Sequence, residues 1–295
     1  MNPDRITLSM EAADLARALH RHHDFRVQRR LAPMDRRLAG DEHARGTVGL
    51  ALAIRTSGDD HRRDRIVELS VQRFRLDERM RIVETGERRT WLEEARAPIS
   101  AVSGRDVDLV DGDLIGRAIS DGEATAILLD VDFVVAHPAA VTRPFVERRL
   151  PLAAGKPWAC SIEDVDWRAR GFLGDSLLEL MAPMGWFHEE RRAEADVTAL
   201  LHLLDHRLSD GATVAGLMVE RAERASWIVE VVDAPQSAED VLRARGYVRE
   251  SLRGIWSAAV CDEAVADEVR WASIMLYCGR REPDLRRITW SERYA

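Results

Sequence analysis

The first side chains with a chemical reading are the imidazoles of the HRHHDF stretch, His20, His22 and His23. Close-set imidazoles can hold a transition metal, but no carboxylate or cysteine partner is spaced to close a site, so solvated helix-end residues are the preferred reading. Cys160, Cys261 and Cys278 lie far apart with no metal-type spacing. An odd, sparse cysteine count fits reduced thiols in a cytoplasm. A Cys/His nucleophile would need one of them beside one of the nine histidines, which sequence alone does not decide. Ser57-Gly58 is not part of a G-x-S-x-G elbow, and neither a P-loop nor a G-x-G-x-x-G turn occurs.

The element that must position any site is TVGLALAIRTSG, Thr47 to Gly58. An apolar, β-branched run entered at Gly46 and left at Ser57-Gly58 predicts a central strand buried on both faces. Active sites collect at the carboxyl ends of such strands. Here that end carries Ala53, Ile54 and Arg55, with no carboxylate. RIVELSVQRFRL predicts a second strand and Met80 to Thr85 a hairpin partner. Trp91 to Gly116 reads as loop plus short helix, Asp121 to Ala126 as helix, and Phe133 to Ala136 as a strand. A helix starts near Ala139, with Pro144 awkward unless it falls in the first turn. Trp158 to Ser161 reads as a strand, Asp175 to Met184 as a helix ending at Gly185, and Arg191 to Leu208 as a strongly amphipathic helix.

After a Ser/Asp/Gly break and a helix over Thr213 to Arg224, residues 226 to 295 read as strand, helix, strand, helix and a final strand RITWSERY. The N-terminus has a helix starting near Ser9 and then an irregular connector over Ala32 to Arg45. It shows neither signal peptide nor membrane span, so no membrane partner is expected. The formal net charge is -8, which disfavours whole-molecule attraction to nucleic acid or anionic lipid and leaves local patches as the only polyanion sites. Lys156 is the only lysine; the rest of the basic charge is arginine, the better phosphate fork.

Four stretches together resemble the DEDD-type 3'-5' exonucleases, the superfamily of the proofreading epsilon subunit of DNA polymerase III and of RNase T. They are AIRTSG with RDRIVELSVQRF, then AHPAAVTRPFVERRL, then WACSIEDVDW, then GWFHEERRAEADVTALLHLL, in the family's order. The N-terminal DFRVQRRL and the C-terminal VVDAPQSAEDVLRARGY are similar to a bacterial subgroup. The resemblance implies an α/β, ribonuclease H-like exonuclease domain, a mixed central sheet flanked by helices, over residues 46–210. An N-terminal helical segment (1–45) precedes it and a small α+β domain (211–295) follows.

Members use four carboxylates to hold two divalent metals. At the matching positions this chain has Ala53 and Arg55 for the first acid pair, Thr142 for the second-motif acid and Arg191 for the general-base histidine. Only Asp196 is retained. Arginine accepts no proton at neutral pH, so Arg191 is no base. Taking His188 as the base instead puts Ala193 at the acid position, and that register gains nothing. Asp59, Asp60, Glu68, Asp130 and Asp132 are the acids from which a migrated metal site would be built. The resemblance therefore implies a cytoplasmic pseudoenzyme with no metal or other cofactor; Mg²⁺ or Mn²⁺ enters only if a rearranged site still works as an exonuclease. Arg55 or Arg191 is expected to pair with Asp196 in the metals' place. Arg55, Arg143, Arg191 and Arg192 are the candidate phosphate contacts for DNA or RNA; for Arg143 and Arg192, intramolecular pairing is the competing reading. A regulatory module with a protein partner is the other class. Its aromatic material is Trp227, Tyr247, Trp256, Trp271, Tyr277 and Trp290, for which a core role is favoured. Arg243, Arg245, Arg249 and Arg253 would form a basic edge.

Overall fold

A computed structural model describes residues 3–36, 46–95, 109–189, 191–250 and 254–294, with side chains from residue 12 onward. The chain opens with helix α1 (Pro3–Arg21) and a two-residue strand β1 (Arg29–Arg30). The central sheet follows: β2 (Thr47–Thr56), β3 (Ile66–Leu76), β4 (Ile82–Thr85), β5 (Arg89–Leu92), β6 (Phe133–Ala136) and β7 (Trp158–Cys160). Its order is β4-β3-β2-β6-β7, with β5 also on β3. β3 runs antiparallel to β2, while β6 and β7 run parallel to it. An antiparallel hairpin beside parallel strands, with helices on both faces, is the mixed α/β, ribonuclease H-like arrangement.

The pleat of β2 sorts its side chains by face. Leu50 and Leu52 pack with Val134, Phe145 and Val146 on one side. Helices α2 (Asp111–Leu114), α3 (Asp121–Leu129) and α4 (Ala139–Arg149) precede β7, and α3 and α4 cover that side. Ala51 and Ala53 face the other side, against the leucines of α6 (Ala193–Asp205). Between β7 and α6 lie α5 (Leu177–Met181) and β8 (Trp186–Phe187), and β8 pairs in parallel with the distant β1. Gly49 lies opposite Phe74 in the ladder, and a Cβ there would come within 2.3 Å of the Phe74 ring. Glycine is therefore required where the aromatic crosses the strand.

Helix α7 (Val214–Glu223), capped by Thr213, packs its Val214, Met218 and Val219 into the same core as α6. A second unit then follows: β9 (Ser226–Val231), α8 (Glu239–Ala244), β10 (Val248–Arg249), β11 (Trp256–Cys261), α9 (Val265–Tyr277) and β12 (Asp284–Ile288). Its sheet is fully antiparallel in the order β10-β11-β9-β12, a split β-α-β-β-α-β unit.

Several expectations are corrected here. β5 occupies the start of the stretch read as loop. β10 is a strand too short to show any alternation in sequence. Pro144 sits inside α4 rather than in its first turn. The last strand is DLRRI, not RITWSERY. The chain leaves the sheet at Thr289, whose hydroxyl and N–H bond Glu292 at 2.7 and 2.8 Å and cap a single 3-10 turn, Trp290–Glu292. Period-2 apolarity in WSERY reflects anchoring, not strand pairing.

That anchoring wraps the end of the described chain around the β7 edge. The Trp290 indole donates to the Trp158 carbonyl at 2.8 Å and packs on Phe133, while Tyr294 joins the opposite core. Arg143, 2% exposed, donates to the carbonyls of Ser291 (2.7 Å) and Arg293 and to Glu147. Arg293 and the Tyr294 hydroxyl both bond Asp164, at 2.6 and 2.9 Å. Burial pushes the Asp164 carboxyl upward, against the pull of Arg293. Replacing Arg143 by Met leaves buried carbonyls without a donor, so a loss of about 2–4 kcal/mol is expected in the chemical-denaturation midpoint. A loss under about 0.5 kcal/mol would show that the strap is held otherwise.

Candidate functional site

Arg55 ends the α6-facing row of β2, two positions beyond Ala53. Asp196 lies in the first turn of α6. The pleat and the helix dock therefore bring the two together: an Arg55 Nη1 to Asp196 Oδ2 contact of 2.7 Å, with side chains 17% and 15% exposed. Of the two arginines expected to compete for Asp196, Arg55 makes the pair; Arg191 is exposed in the turn before α6.

His188 supplies the other side. Its Nε2 lies 3.5 Å from Asp196 Oδ1, the ring is buried, and neither ring nitrogen has a hydrogen-bond partner among the described residues. The sequence set this histidine aside on register, because it stands eight positions before Asp196. The parallel pairing of β8 with β1 carries it back toward the site, and that pairing joins segments more than 150 residues apart. No local signal in the sequence marks it.

His137 adjoins the same cluster. Its Nδ1 lies 2.8 Å from the Ser161 hydroxyl. Burial pushes its pKa down to about 4 from 6.5, with Asp196 and Asp175 pulling it up and His188 adding to the depression. Thr142, where the family's second-motif acid stands, is buried on α4.

The other acids named from the sequence are engaged elsewhere or exposed. Glu68 is fully buried opposite Arg55 in the β2–β3 ladder. One of its oxygens takes Arg192 at 2.8 and 2.9 Å, and the other accepts the Ala193 N–H at 2.9 Å. It thus caps the N-terminus of α6, where a carboxylate is favoured by the exposed N–H groups and the helix dipole. Asp132 accepts the Val48 N–H at the opposite end of β2, roughly 23 Å away at strand rise, and Asp130 pairs with Arg73 on the surface. Asp59 and Asp60 are exposed on the loop after β2.

A pair of divalent cations needs several oxygen ligands converging within a few ångströms. These residues do not fit that requirement: among the described residues Asp196 belongs to no group of three ligating side chains, and a guanidinium already lies against it. At the far end of the chain, His22, His23 and Asp24 bring ligating atoms within 4.8 Å of one another. Asp24 is thus the carboxylate that the sequence reading of the histidines lacked, although all three side chains are exposed.

Among the other candidate phosphate contacts, Arg143 and Arg192 make the intramolecular pairs described above. In the C-terminal unit, Arg245 bonds Glu268 and stacks 4.2 Å over Trp271, and Arg243 pairs with Glu239. Arg249 lies 3.9 Å from Glu239. Arg253 lies outside the described residues. Tyr247 and Trp256 are core residues, and Trp271 and Tyr277 pack against that core.

No family model and no curated protein matches the chain. Solved structures do. One is an exonuclease X in complex with 5' overhanging duplex DNA, with 15% identity, TM-score 0.40, covering 59% of this chain and 99% of that one. Another is the zinc-bound E. coli exonuclease I–single-stranded DNA complex, with 12% identity, TM-score 0.46, covering 73% of this chain and 63% of that one. A further exonuclease I structure has 13% identity and TM-score 0.46, covering 73% and 62%. The chain thus spans under two thirds of the exonuclease I chains. Among the described residues, no helix is long and apolar enough to cross a membrane.

Two measurements test the site. Arg55→Ala leaves Asp196 in a largely buried position without its cation and should cost about 2 kcal/mol, part of which Asp196→Ala recovers when added. Strictly additive costs would mean that the two side chains are uncoupled. The depressed His137 pKa makes the neutral imidazole the folded form. Its contribution is present above pH 6.5 and is lost as pH falls from 6.5 through about 4, a change on the order of 3 kcal/mol. The denaturation midpoint followed over that range should flatten in His137→Gln; an unchanged slope would remove His137 as its source.

Proposed function

We propose that the chain is a non-hydrolytic exonuclease-like protein that binds nucleic acid across the face where Arg55 and Asp196 meet. The observation that carries this reading is the 2.7 Å Arg55–Asp196 contact. A guanidinium fixed on Asp196 neutralises that carboxylate, and it does so in a form that cannot activate water. The acid positions of the resembled family hold Ala53, Arg55 and Thr142 here, so an approaching phosphate meets less like charge than four carboxylates would present. Arg191 is exposed beside the N-terminus of α6, a 13-residue helix. Exposed Arg62 stands on the loop that follows β2. Each is an exposed cation on a molecule of net charge -8. Binding should therefore be weak, local and strongly dependent on salt.

A working exonuclease with a rearranged site is the alternative. It is disfavoured by Glu68, the one fully buried acid near α6, whose oxygens already serve Arg192 and Ala193. Anisotropy titrations with single- and double-stranded DNA and RNA at low salt test the binding. At least one ligand should bind, and Arg191→Glu should weaken it about 5- to 10-fold. No binding to any of the four removes nucleic acid as the ligand. In parallel, no release of nucleotides from 3' ends is expected with Mg²⁺ or Mn²⁺; chelator-sensitive release that Asp196→Ala abolishes would identify a working nuclease.

A further inference from the structure

The C-terminal sheet ends in an open edge. Among the described residues, β12 pairs only with β9, and Asp284 to Arg287 are all exposed. An exposed edge strand presents a row of N–H and C=O groups ready to pair with another chain. Charged side chains usually guard such edges, and here their order decides which partner is admitted.

In the β12–β9 register, Leu285 lies opposite Val229 and so shares the face that packs on α9, while Asp284 and Arg286 share the other face. Leu285 is 45% exposed, the apolar residue at the middle of the accessible edge. Asp284 lies directly opposite Glu230, so two acids face each other across the ladder. Among the described residues, its cation contact is the exposed Arg281, at 3.3 Å. Among the described residues Arg286 makes no close ion pair, and Glu292 in the turn after β12 feels its charge only at longer range. An acid crowded by another acid and an arginine with no close ion pair therefore stand two positions apart on one strand face.

We propose that β12 pairs with β12 of a second copy of this chain, antiparallel about a two-fold axis at Leu285. A two-fold normal to the sheet keeps each residue on its own face, so the only possible centres are single residues. Centring on Asp284, Arg286 or Arg287 sets like charges directly opposite, which destabilises a ladder. Centring on Leu285 sets leucine against leucine and places each Asp284 opposite the other copy's Arg286. The backbone bonds supply attraction, and the two ion pairs fix register and partner. The interface is isologous, as closed dimers require, and it joins two four-stranded sheets into one of eight. This pairing stands apart from the nucleic-acid reading and does not depend on it.

Light scattering coupled to size exclusion, at rising protein concentration, tests it on the full chain. The native protein should approach twice the 33.3 kDa chain mass. Asp284→Arg and Arg286→Asp should each remain monomeric, because each sets like charges opposite in both pairs. Mixed in equal amounts, they should form a heterodimer, since every pair is then complementary. Circular dichroism checks that both remain folded, and Leu285→Lys should be monomeric on independent grounds. A native monomer at every concentration overturns the proposal. So do dimeric single variants, and so does a mixture of the two charge variants that stays monomeric.

Discussion

A carboxylate held mostly out of water needs a cation, and in this protein the cation for Asp196 is the guanidinium at the end of the central strand. Three features follow from that requirement. Arg55 must lie on the α6 face of β2, which the two-residue period guarantees once Ala51 and Ala53 face the helix. The first turn of α6 must sit over the strand's carboxyl end, which its apolar stripe and the Glu68 cap enforce. Water must be thin around the pair, and the buried His188 ring on the far side of Asp196 excludes it.

The same solution recurs through the fold. Glu68 takes Arg192 and the α6 N-terminus, and Asp164 takes Arg293 and Tyr294 where the strap closes over β7. Arg143 satisfies two strap carbonyls from within α4. A chain with a single lysine builds its buried ion pairs from arginine, whose planar fork serves several acceptors at once. Breaking one partner of such a pair is more damaging than losing both, because the survivor stays buried.

Much of the architecture was legible in sequence because strong periodicity marks buried elements. β2, β3, β6, β7 and α6 carry long or tightly bounded apolar patterns, and they are the elements that set the sheet order. β10, β5 and the β1–β8 pair left no such trace, since none of their residues is fully buried and no bounded apolar run marks them. The site was half legible. The absence of carboxylates at Ala53, Arg55 and Thr142 could be read directly, and a cation on Asp196 followed from the cost of a lone buried acid, although the choice between Arg55 and Arg191 did not. His188 was weighed and set aside on motif spacing, because its approach depends on a bridge between segments far apart in the chain. The final strand was misplaced because Trp290 and Tyr294 look the same to a periodicity count whether they line a sheet or pin a strap.

The central claim is that a guanidinium holds Asp196 where paired cations would otherwise sit. Crystals soaked in Mn²⁺ and measured at a wavelength that reveals its anomalous scattering address that claim directly. The expected map has no anomalous peak at Asp196, with the Arg55 guanidinium still in hydrogen-bond contact with the carboxylate. One or two ions coordinated by Asp196, with Arg55 swung away, would contradict it.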